Sequence, residues 1–279
     1  MSHDTHQINT TYLILLDLRL VGSVNKEIPM FHNLTHQTFS SRYTMPPQSN
    51  NDVVPIEATL LGNVLEQRVI DLFSEEESLP VTLSKDDGNV EVRTKFEGQH
   101  LVALSKVKVV DKILPSVFRN YLENFNESFA KADPMVKEVR HLKFDDANKR
   151  EGVKVFLQFP FPISDRVMVH WKYLKLDRNN EDDHMMIVSE ENNQSLLDDH
   201  LPQEERDQYI LARTFLCAFW IKAVKDDEGT VVGSSIRYCY SGDVGGSMPA
   251  KLQQWIAPQN AVDSMKSMIQ YCQTSVANK

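Results

Sequence analysis

His32 and His36 stand four residues apart, the spacing at which one helical face can offer two imidazoles to a zinc ion. The glutamate that a zinc hydrolase places between such histidines is missing. The surrounding stretch also reads as unstructured, so plain polar side chains are the expectation. The triplet Asp-Asp-His occurs at Asp182–His184 and at Asp198–His200, both in charged turns expected to be solvated. Cys217, Cys239 and Cys272 are widely separated, odd in number and in neither CxxC nor zinc-ribbon spacing. Free, mostly buried thiols in a reducing compartment follow. The glycine turn "GDVGGSMP" lacks the GK[ST] ending of a phosphate-binding loop, and no GxSxG elbow is present. No motif names a catalytic residue, a metal or a cofactor.

Charge excludes another class. The chain of 279 residues carries 30 Lys and Arg against 39 Asp and Glu, a formal charge of -9, and no basic cluster that could track a phosphate backbone. Nucleic acid is not an expected partner. The apolar run Tyr12–Leu20 is interrupted by Asp17 and Arg19, follows no basic leader and is too short to span a bilayer. A soluble, cytoplasmic monomer is expected.

Any chemistry must therefore be positioned by the fold. Residues 1–52, rich in His, Thr, Asn and Gln and closing on "TMPPQSNND", read as a partly disordered N-terminal extension with a linker. One folded domain over 53–279 is expected after it. Leu61, Val64, Leu65, Val69 and Leu72 recur at helical spacing. Two alternating runs around Asp87-Gly88 form a hairpin signal, "HLVALSKVKVV" adds a strand, and Ile113, Val117, Tyr121 and Phe125 mark a second helical section.

Strand candidates then follow through "KEVRHLKFD", "GVKVFLQF", "DRVMVHWKYLKL", "HMMIVSE", "YILARTFLCAFWIKAV" and "TVVGSSIRYCYSG", several joined by polar turns that suit antiparallel neighbours. Ser247 and Pro249 suit the start of a last helix whose apolar stripe runs Met248, Leu252, Trp255, Val262, Met265, Ile269, Cys272 and Val276. Pro258 should kink or split it. The order indicates an α+β domain in which the final helix covers a sheet face.

Two segments resemble a known family. Tyr240, Asp243, Gly245, Gly246, Pro249, Leu252 and Trp255 match the ending of START domains, the steroidogenic-acute-regulatory-related lipid transfer family. Pro160, Phe161, Pro162, Ser164 and Arg166 in "FPFPISDRVMVHWK" match a segment of its phosphatidylcholine transfer protein branch. The resemblance covers roughly 53–279. Val167 and Val244 depart from the family pattern, and Lys172 stands where relatives carry an arginine that meets a polar headgroup. Lysine keeps the charge but loses the planar fork that holds phosphate bidentately, which leaves the headgroup open.

The resemblance implies a helix-grip fold: a curved antiparallel sheet wrapped around a long C-terminal helix, with an internal tunnel for one lipid of the phospholipid or sterol class. It implies that the helix also acts as a lid, hinged at Gly245-Gly246; an ordinary tight turn is the equal alternative for these two residues. Strand parity sets Arg166, Met168, His170 and Lys172 on one face of their strand, and the resemblance assigns that face to the tunnel. Buried, Arg166 and Lys172 must either pair with carboxylates or meet an anionic headgroup; Lys172 could also snorkel outward at the sheet edge.

Tyr238, Tyr240, Leu252, Trp255, Met265 and Ile269 are the further candidates for lining the tunnel, the tyrosines reading equally as core. Phe159, Phe161 and Ile163 form an apolar loop that would touch a membrane transiently, or else pack under the helix. The reading is a non-enzymatic protein that transfers or senses a lipid between membranes. Two alternatives stand beside it: an enzyme using the same cavity, as helix-grip cyclases do, and a ligand sensor that recruits a partner through residues 1–52.

Overall fold

The computed structural model describes residues 58–85, 88–98, 100–159, 163–246 and 250–277, with backbone alone at 58–60 and 250–256. The expectations for residues 1–52, for the turn residue Asp87, for Pro160, Phe161 and Pro162, and for Ser247, Met248 and Pro249 lie outside the described residues. So do those for the side chains of Leu252 and Trp255.

Helix α1 spans Ala58–Glu75. Leu61, Leu65, Val69, Leu72 and Phe73 are buried along one side of it, as their three- and four-residue spacing requires. Val64, expected on that stripe, is 52% exposed and lies off the buried arc. Strands β1 (Val81–Lys85), β2 (Val90–Glu97) and β3 (His100–Asp111) follow. The second helical section is two helices, α2 (Pro115–Glu123) and α3 (Phe125–Ala132). The chain breaks at Asn124, whose φ of -102° and ψ of 32° leave the helical region. Pro115 opens α2, where a missing N–H costs nothing.

Strands β4 (Val136–Asp145), β5 (Arg150–Leu157), β6 (Arg166–Lys175) and β7 (Asp183–Ser189) come next. Two short helices, α4 (Gln194–His200) and α5 (Gln203–Gln208), stand where the sequence carried no legible period. The predicted strand from Tyr209 divides at Ala212 into β8 (Ile210–Leu211) and β9 (Arg213–Lys225). Strand β10 (Val231–Asp243) leads to α6 (Ala250–Ala277). Helix α6 keeps Pro258 inside it and is not split in two, contrary to one of the two expectations for that residue.

The strands form one sheet in the order β1-β2-β3-β10-β9-β7-β6-β5-β4. Neighbours on this path are antiparallel; β8 alone pairs in parallel, against the start of β6. Register shifts at Ser234/Ile236 and Ser241/Gly242 on β10, and at His141/Lys143 on β4, bend the strands, so the sheet curves without closing.

Alternation divides the core in two. The inner face carries Val107, Ile236, Phe219, Ile221 and Met186 against Phe118, Tyr121 and Phe125 of α2 and α3, and against Val262, Met265, Met268 and Cys272 of α6. The outer face carries Leu104, Leu216, Met185, Ile187, Val169 and Trp171 against α1 and Leu196 of α4. Val276, expected on the apolar stripe of α6, is 46% exposed, one turn past the buried Cys272.

Candidate functional site

The pleat of β6 sorts its side chains. Val167, Val169, Trp171 and Tyr173 belong to the outer core, so Arg166, Met168, His170 and Lys172, which parity sets on one shared face, point to the inner side of the sheet. Their partners on β5 in register are Leu157, Val155, Val153 and Glu151.

Lys172 is 5% exposed and therefore does not snorkel out. Its Nζ lies 2.5 Å from Glu151 Oε2 and 5.8 Å from the Phe125 ring centre. Glu151 also accepts from Asn126 Nδ2 at 2.7 Å and meets His141 Nδ1 at 2.9 Å. Burial alone would push the Glu151 carboxyl up; the hydrogen bond and charge of Lys172, helped by His141 and Asn126, hold it below its usual value. The pair is thus the carboxylate-bound alternative for Lys172, and removing one partner would strand a buried charge.

Arg166 is also buried. Its Nε donates to Val244 O at 2.7 Å, its Nη1 donates to Ser164 O, and its guanidinium lies 5.3 Å from the Phe159 ring centre. Among the described residues no carboxylate comes within ion-pair distance of it. Burial lowers its pKa, opposed by the charge of Asp165. Arg166 thus ties the start of β6 to the segment that leaves β10 through main-chain carbonyls, and the carboxylate pairing that was one of its two alternatives is not seen among the described residues.

His170 differs from both. It is 3% exposed, and neither Nδ1 nor Nε2 has a hydrogen-bond partner. Burial, with the charge of Lys172 adding to it, pushes its pKa down to about 3, so the ring is neutral at physiological pH. Met168 is partly buried and accepts from Thr214 Oγ1 at 3.4 Å. Val153 and Val155 are fully buried on this face.

Helix α6 lies mainly across β1, β2, β3 and β10, and α3 lies against β4, so this strip of β5 and β6 runs between the helices. Ser105 Oγ, across β3–β10 from Tyr238, is a second buried inner-face group without a partner.

Tyr238 and Tyr240 occupy the inner face of β10. The Tyr238 hydroxyl lies 3.8 Å from Cys217 Sγ and hydrogen-bonds Ser264 of α6, while its ring meets Phe219 at 4.6 Å. Burial raises the pKa of both tyrosines and pushes the Cys217 thiol up to about 12. Met265 is fully buried in the inner cluster and Ile269 packs at its edge. Phe159 and Ile163 are each half-buried, and Asp165 accepts from the Phe159 N–H at 3.1 Å.

The sequence reasoning did not single out Glu151, Asn126 or Ser105. A charged residue beside the apolar run "GVKVF", and a serine in step with Ala103 and Val107, were the available signals. Among the described residues no three His, Cys, Asp or Glu side chains are grouped to hold a metal. No described helix is long and apolar enough to cross a membrane.

No protein-family model and no curated protein matches the sequence. Solved structures do match. Human StAR-related lipid transfer protein 5 superposes with a TM-score of 0.62 over 78% of this chain and 97% of its own, at 8% identity. Human STARD10 gives 0.55 over 74% and 77%, at 16% identity. The lipid transfer and protein localization domain of human StarD13 gives 0.53 over 75% and 95%, at 14% identity. With its curved antiparallel sheet gripping a C-terminal helix, the chain therefore shares the fold of the StAR-related lipid transfer proteins.

Proposed function

We propose that the protein binds a single lipid, of the phospholipid or sterol class, in a tunnel on the inner face of the sheet and transfers or senses it between membranes. The observation that carries this reading is His170: almost fully buried on the inner face of the sheet, with neither ring nitrogen hydrogen-bonded. Close-packed cores rarely leave such a group unmet. Two of the proteins whose fold it shares, StAR-related lipid transfer protein 5 and the lipid transfer and protein localization domain of StarD13, carry lipid transfer in their names, which supports the same reading.

Each methylene that leaves the bilayer for the protein exchanges one apolar setting for another, so net transfer is nearly neutral, whereas passage through water would cost about 0.8 kcal/mol per methylene. Helix α6 is the lid in this reading. Gly245 and Gly246, with φ of 71° and 72°, form its hinge, and Phe159, Phe161 and Ile163 make the transient membrane contact. No catalytic role is assigned, and the protein acts as a cytoplasmic monomer.

The test is native mass spectrometry of the full chain after incubation with vesicles of phosphatidylcholine and cholesterol. One lipid per protein is the expected adduct. Its absence, in protein that is folded by circular dichroism, overturns the reading.

A further inference from the structure

Both ring nitrogens of His170 lie in the interior with nothing to bond. A neutral imidazole has one N–H donor and one acceptor nitrogen, and leaving either unmet costs stability comparable to a lost hydrogen bond. The walls beside it are apolar or weakly polar: Val153 directly across the strand pair and Met168 two residues along. The neighbouring cation, Lys172, is already neutralised by Glu151, whose other oxygen is taken by Asn126 and His141. Arg166, at the start of the strand, commits its guanidinium to the carbonyls of Ser164 and Val244. An ionic headgroup beside His170 would therefore meet no free counter-charge from these residues, and desolvating it there would be unfavourable.

A hydroxyl group suits the same position. It carries no charge, and it can either donate to the acceptor nitrogen or accept from the N–H. Resting on the lipid-binding reading above, we infer that His170 hydrogen-bonds the single uncharged hydroxyl of an otherwise apolar lipid, as a sterol or a diacylglycerol would present. This narrows the ligand class away from phospholipids. A site built to hydrogen-bond a hydroxyl discriminates against an analogue that lacks it, because its own polar atom is then left unpaired.

The experiment offers the full chain phosphatidylcholine vesicles doped with equal amounts of a hydroxyl lipid and its O-methyl ether. One arm uses cholesterol, the other a diacylglycerol; adduct ratios are read by native mass spectrometry. In at least one arm the wild type should take up the hydroxyl form in roughly tenfold preference, the equivalent of one buried hydrogen bond. His170→Phe, which keeps a ring but no polar atom, should still load lipid and lose the preference. His170→Asn, which keeps a donor and an acceptor, should retain part of it.

Equal uptake of alcohol and ether by the wild type, as an imidazole satisfied by water alone would give, overturns the inference. So does a preference that survives in His170→Phe, or loading with phosphatidylcholine to the exclusion of both doped lipids. In each of these outcomes the lipid-binding reading stands. No adduct from any vesicle overturns both.

Discussion

Glu76 and His170 are buried ionisable side chains without a hydrogen bond, and their pKa values move in opposite directions. Glu76 is fully buried; Arg93 Nη1 and Arg237 Nε approach it only to 3.8 and 3.9 Å. Burial raises its pKa above 4.5, and the charges of Arg237, Lys106 and Arg93 do not fully offset that. A raised carboxyl contributes stability that is present below the unfolded value and lost as pH rises through the folded one. Glu76→Gln should therefore melt higher than the wild type at pH 7, with the two curves converging below about pH 4; thermal scans at both pH values check this. His170 has the other sign. Its folded pKa near 3, against 6.5 unfolded, means that stability is lost as pH falls through that window. So depressed, the imidazole is a weak base, and Tyr238 is a poorer acid than a free tyrosine. Neither suits proton transfer near neutrality, which speaks against the enzyme alternative for these two residues.

At the scale of elements, the chain just after β10 makes a tight turn at Gly245. Gly245 has φ 71°, and a Cβ there would stand 2.4 Å from Leu211 O of β8. Asp243 Oδ1 accepts from the Gly245 N–H at 2.8 Å, closing the turn. The glycine pair legible in the sequence is thus a left-handed turn pressed against β8, and that contact was not legible, since it comes from a two-residue strand and its parallel pairing with β6. Gly245→Ala should cost on the order of 1–3 kcal/mol. Gly229→Ala, with φ 83° but open space around it, should cost only the left-handed penalty of roughly 1 kcal/mol. Urea unfolding separates the two. Helices α4 and α5 escaped sequence reading because they are short and polar; of their seven and six residues only Leu196 is buried, against Gly152 and Trp171.

For the whole molecule, the two cores would respond differently to a lipid bound as proposed. The outer core packs α1 and α4 on the sheet and has no expected part in binding. The inner core joins the sheet to α2, α3 and α6, so a lipid seated between them adds contacts that only the folded state can make. Binding to the folded state alone stabilises it by about 2.7 kcal/mol at a hundredfold excess over Kd. Protein loaded with lipid should accordingly melt roughly 5–10 °C above delipidated protein in differential scanning calorimetry. An unchanged Tm on loading would argue that the lipid sits on the surface.

The sequence by itself determined the kinds of element and the faces they present, because helical and strand periods are local properties of the chain. The α+β class, the long final helix and the inward aim of Arg166, Met168, His170 and Lys172 were readable at that level, the last with the help of the family resemblance. Only the tertiary structure decided what those side chains meet. Glu151 lies opposite Lys172 through the register of β5 on β6, and Val244 reaches Arg166 from 78 residues away. His170 is left unpartnered by an arrangement of long-range neighbours that no local period encodes.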